Sequence, residues 1–112
     1  MKGAEAFRVA LVTAGSDEEA AKIARALVEE RLAACVNIIP GVRSIYRWQG
    51  KVEDDREVLM VIKTDADALN DLEERVRALH SYEVPEVIAL RIDQGSGPYL
   101  DWLAGSVLPL SE

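Results

Sequence analysis

Cys35 is the only thiol in the chain and His80 the only imidazole, and Glu83 and Glu86 follow the histidine in the stretch HSYEVPE. Thiolate sulfur and imidazole nitrogen are donors suited to copper or zinc, and neighbouring carboxylates can complete a coordination shell or orient the ring. Cys35, His80, Glu83 and Glu86 are therefore the expected ligands of a divalent ion, copper or another, which the fold does not require. One chain offers few soft donors, so such a site needs donors from more than one copy. Each soft donor also has a structural use: a cysteine in an apolar strand fills a core, and a histidine ending a helix can bond to the last carbonyls.

Other chemistries fit less well. A serine triad needs a histidine base, and no GxSxG segment places a nucleophile near His80. Gly15-Ser16 is followed by Asp17, Glu18 and Glu19, which repel a phosphate and suit a helix cap. Gly95-Ser96-Gly97-Pro98 reads as a turn before a helix. No catalytic residue is expected, and the chain is read as a non-enzyme.

Acidic residues outnumber basic ones by 20 to 13, a net charge of −7. That is the wrong sign for binding nucleic acid or an anionic membrane, whereas it suits cations or serves solubility. A single cysteine excludes an intrachain disulfide and fits a reducing, cytoplasmic compartment. The opening MKGAEAFRVALVTAG has a short apolar run interrupted by Arg8, so neither a signal peptide nor a membrane span is expected.

The elements that must hold these residues follow from periodicity. FRVALVT, 7–13, reads as a strand, and Ser16 with Glu19 forms a capping box before a helix of about sixteen residues. Ala20, Ile23, Ala24 and Leu27 lie on one face of that helix. A long strand, 34–49, turns at Gln49-Gly50 and returns over 51–64. A second helix is expected over 65–80, with Leu69, Leu72, Val76 and Leu79 as its apolar stripe, Asp65 or Asp67 as cap, and a Glu73–Arg77 pair. A strand over 86–92 and a short helix over 99–108 complete the chain.

The order βαββαβ is that of the ferredoxin-like split unit, an α+β fold, here with an extra C-terminal helix. Residues 34–49 reach ~50 Å when extended, against ~24 Å for a sixteen-residue helix, so the helices cannot cover the hairpin joining the second and third strands. Pro40-Gly41 offers a bulge midway, beyond which Val42, Ile45, Tyr46 and Trp48 need cover. Docking on neighbouring subunits supplies that cover. A short strand and an irregular loop in a monomer is the competing expectation.

LAACVNIIPGVRSIYRWQGK, VIKT, LHSYEVPEVIAL and YLDWL stand at separations that resemble the signatures of the CutA family over nearly the whole chain. The resemblance implies one CutA-like domain over 1–112, a homotrimer whose long hairpins wrap adjacent sheets, and a role in divalent-cation tolerance. It also implies intersubunit clefts lined by Tyr46, Trp48, Lys63, Tyr82 and Trp102. Copper-associated relatives carry a late cysteine in the first strand and paired histidines before Tyr-x-x-Pro. Val12 and Leu79-His80 stand at those positions here, which removes two soft donors. A second function class is a PII-like trimeric regulator that binds a small anionic metabolite in those clefts, with Lys63 as counter-charge.

Overall fold

A computed structural model describes residues 3–107 of the chain. After a short turn at Ala4–Ala6 come β1 (Phe7–Ala14), α1 (Asp17–Glu29), β2 (Cys35–Trp48), β3 (Lys51–Asp65), α2 (Leu69–Leu79), β4 (Ile88–Arg91) and α3 (Gly97–Ser106). The fold is α+β, with four antiparallel strands in the order β2-β3-β1-β4.

Even-numbered residues of β1 and β3 point to one face, which α1 and α2 cover. Ala10, Val12, Val58, Met60 and Ile62 meet Ile23 and Leu27 of α1 and Leu72 and Val76 of α2 in a common core. Each fully buried Ile or Leu there contributes roughly 1.5–3 kcal/mol. A second cluster, with Phe7, Ala34 and Ala68 against Leu100, Leu103 and Val107, seats α3 at the end of the sheet where β1 begins. Among the described residues no helix is long and apolar enough to cross a membrane.

The caps explain the element bounds. Ser16 Oγ accepts from the Glu19 amide, as the capping box predicts. α1 ends at Glu29, short of the expected sixteen residues, because Arg31 turns left-handed at φ 61°. The Arg31 amide bonds the Val28 carbonyl and the Leu32 amide bonds the Leu27 carbonyl, the Schellman arrangement. α2 starts at Leu69 rather than 65, because Asp65 ends β3 and its carboxylate takes the Ala68 amide in the intervening turn. β4 occupies only the centre of the expected 86–92. The expected end of α3, Leu108, lies outside the described residues.

β1 pairs with β3 only over Val58–Asp65, so residues 51–57 run on with β2 alone. That overhang is about 23 Å at ~3.3 Å per residue. The molecule measures 47 × 26 × 22 Å, with a radius of gyration of 14.6 Å against roughly 13 Å for a compact chain of this length. Gln49 and Gly50 close the arm with φ of 50° and 81°, the left-handed pair that a two-residue hairpin turn requires. The expected bulge is present: Ile39 pairs with Leu59 but Val42 with Glu57, and Gly41 takes a φ of 79°.

Candidate functional site

A hollow of about 730 Å³ opens where the arm leaves the sheet. One wall is Ser44, Tyr46 and Trp48 of β2, the floor is Asp55 and Glu57 of β3 with Thr13 of β1, and the far wall is the 82–86 segment. The bulge decides who faces it. Before Gly41, Val36 and Ile38 pair with even-numbered β3 residues on the helix face, whereas after it Ser44 and Tyr46 pair with Asp55 and Glu53. One extra residue therefore turns Tyr46 and Trp48 onto the uncovered face.

His80 fixes the far wall. Its side chain is fully buried, Nε2 lies 2.7 Å from the Thr13 carbonyl, and Nδ1 accepts the Tyr82 amide at 3.1 Å. A carbonyl only accepts and an amide only donates, so these bonds select the neutral Nε2–H tautomer. Neither nitrogen has a lone pair left for an ion. Glu19 braces the same segment: Oε2 accepts the Ser81 amide at 2.7 Å and Oε1 the Gly15 amide at 3.4 Å. Burial pushes the Glu19 carboxyl up, but the bonds from Ser81 and the Gly15 amide hold it below its ordinary value.

Inside the hollow, two phenols donate to two carboxylates. Tyr82 Oη lies 2.7 Å from Glu57 Oε2, and Tyr46 Oη lies 2.6 Å from Asp55 Oδ2. Glu57 is only 7 % exposed, so its phenol donor matters to it. Partial burial and the Glu57 bond raise the Tyr82 phenol well above its usual value. The Asp55 bond, with the acids around it, pushes Tyr46 up to about 12. Glu83 and Glu86 complete the lining, and no Lys or Arg among the described residues belongs to it. Four carboxylates and three aromatic rings make a surface suited to cations.

The sequence-expected residues divide. Tyr46, Trp48, Tyr82, Glu83 and Glu86 meet at the hollow, while Cys35, Lys63 and Trp102 do not. Cys35 pairs with Lys63, which pairs with Val9, four residues along β1 from the Thr13 that binds His80, or about 13 Å away. Cys35 Sγ and Lys63 Nζ both approach Asn37 Oδ1, and Trp102 lies tilted against Tyr99 with ring centres 5.3 Å apart. Among the described residues of one chain, no three His, Cys, Asp or Glu side chains are grouped to hold a metal ion. Asp55 and Glu57 escaped the sequence reading, and Glu19 entered it only as part of a helix cap. Glu53, Asp55 and Glu57 alternate at the strand period, a signal that would have placed them on one face.

The family model described as CutA1 divalent ion tolerance protein matches residues 8–106. The chain is 60% identical over 95 residues to the divalent-cation tolerance protein CutA of Thermus thermophilus, covering 85% of this chain and 92% of that protein. It is 56% identical over 94 residues to protein CutA of Mus musculus, covering 84% of this chain and 53% of the mouse protein, about half its length. The solved divalent cation tolerance protein (Cut A1) from Thermus thermophilus matches with a TM-score of 0.89 at 56% identity, over 91% of this chain and 99% of that one.

Proposed function

The chain belongs to the CutA1 divalent ion tolerance family, and on that premise we propose that it forms a cytoplasmic, non-enzymatic homotrimer that binds divalent cations at the hollow. The observation that carries the reading is a cavity ringed by Asp55, Glu57, Glu83 and Glu86 with no basic side chain among the described residues of its lining. Glu83 and Glu86 are the first donors, because Asp55 and Glu57 already accept phenol bonds. Carboxylate oxygens bind hard ions, and copper enters the same ring with them rather than through His80, whose nitrogens are committed.

The element order with strands β2-β3-β1-β4 supports a ferredoxin-like domain over 1–112. Assembly is supported by the overhanging arm and by the uncovered sheet face, where Ile88 and Leu90 are 52% and 55% exposed beside Val9 and Leu11. A stable trimer buries such a face and shelters the arm. The free thiol of Cys35 accords with a reducing compartment. An anionic metabolite finds no counter-charge here, since Lys63 lies outside the lining.

Calorimetric titration with Cu²⁺ and Mn²⁺ tests the site. Heat is expected to fall in Glu83→Gln/Glu86→Gln and to persist in Cys35→Ser; the reverse pattern would overturn the carboxylate assignment.

A further inference from the structure

Residues 80–87 belong to no helix or strand, and Ser81, Tyr82, Glu83 and Val84 stand exposed. Among the described residues, three hydrogen bonds tie this wall to the body of the fold: the Ser81 amide donates to Glu19, the Tyr82 amide to His80 Nδ1, and the Tyr82 phenol to Glu57. Each ends on a titratable acceptor. A segment with so few anchors opens at lower cost than the core does.

His80 is the acceptor that a proton alters most. Its ring is fully buried and its Nε2–H is spoken for by the Thr13 carbonyl, so a second proton binds at Nδ1, the atom that holds the Tyr82 amide. Nδ1 then becomes a donor facing a donor, and the bond is lost. A replacement stands beside it: Glu19 Oε2 lies 3.7 Å from Nδ1, and its carboxyl, held below the ordinary value, is ionised across the histidine range. The groups around the ring are Glu19 of α1, the Thr13 carbonyl of β1 and Tyr82, whose ring centre is 4.5 Å away, with Glu57 of β3 reached through the Tyr82 phenol. A buried charge needs a partner, and Glu19 supplies one.

We propose that the far wall is an acid-operated latch, in which protonation of His80 at Nδ1 exchanges the Tyr82 amide for the Glu19 carboxylate and releases residues 82–86 from the hollow. Glu83 and Glu86 leave with the wall. What that does to a bound cation rests on the reading of the hollow given above, but the latch needs no ion and is tested without one.

The chain has one histidine, so its ring signals in nitrogen NMR are unambiguous. Between about pH 8 and pH 5, Nδ1 is expected to become protonated while the Tyr82 amide loses at least about tenfold in protection against hydrogen exchange, with Met60 and Ile62 of the core unchanged. Glu19→Gln leaves the charged ring without a carboxylate and moves the step to lower pH. His80→Gln, whose amide takes no proton, abolishes it. A ring that protonates while the Tyr82 amide stays protected overturns the latch, as does a step unmoved in Glu19→Gln. A ring that stays neutral until Met60 and Ile62 also exchange overturns it too, since the whole fold is then opening.

Discussion

His80 Nε2 donates to the carbonyl of Thr13 across 2.7 Å, tying the end of α2 to the last residues of β1. Tyr82, whose amide is held by the same ring, begins the far wall of the hollow. The only imidazole of the chain thus serves the architecture of the site from behind it.

Replacing His80 by Ala strands a buried carbonyl and opens a cavity. The expected cost is about 2–4 kcal/mol in urea denaturation. Calorimetry on the folded variant is expected to retain divalent-ion heat, since the ring is not a ligand in this arrangement.

Acid should unfold the protein partly through Glu19. Its carboxyl is lowered in the fold relative to the ordinary 4.5, so its stabilisation is complete above that value and drains away as pH falls through the folded value. Glu19→Gln flattens the acid limb of a stability-against-pH curve; an unchanged limb would show that the Ser81 brace carries no energy.

The tyrosines set the opposite limb. Both Tyr46 and Tyr82 are raised, so the neutral phenols favour the fold below the ordinary 10.0, and that contribution is lost as pH rises through the folded values. Ultraviolet titration should show Tyr46 and Tyr82 ionising last, after Tyr99, which partial burial also raises above its ordinary value. Tyr82→Phe removes one of them and costs about 1–3 kcal/mol by leaving buried Glu57 without its donor.

Arg31 holds a left-handed position where glycine is the usual residue, and its guanidinium donates to the Gly105 carbonyl at 2.6 Å. Arg31→Ala and Arg31→Gly both lose that bond, but only glycine relieves the backbone. Gly should be more stable than Ala by roughly 1 kcal/mol in thermal melts. Equal melting temperatures would mean that α1 can end another way.

Much of this was legible in the sequence. The capping box at Ser16, the Gln49-Gly50 turn and the Pro40-Gly41 bulge are local rules, and each appears where the residues call for it. The hollow was half legible. Tyr46, Trp48, Tyr82, Glu83 and Glu86 stand within quotable segments, whereas the roles of Asp55, Glu57 and Glu19 depend on contacts across 9, 25 and 62 residues, to Tyr46, Tyr82 and Ser81 in turn. Within one chain register sets Cys35 and His80 at different levels of the sheet, which residue type alone cannot reveal.

The register slip at Gly41 sets one surplus residue against Val58. Deleting Gly41 in frame would set Pro40 opposite Val58 and leave every partner beyond it in place, from Val42 with Glu57 to Trp48 with Lys51, so the same side chains would keep the same face. What would go is the bend and the extra twist that a bulge imposes, so one codon governs where the arm aims and not which side chains it presents.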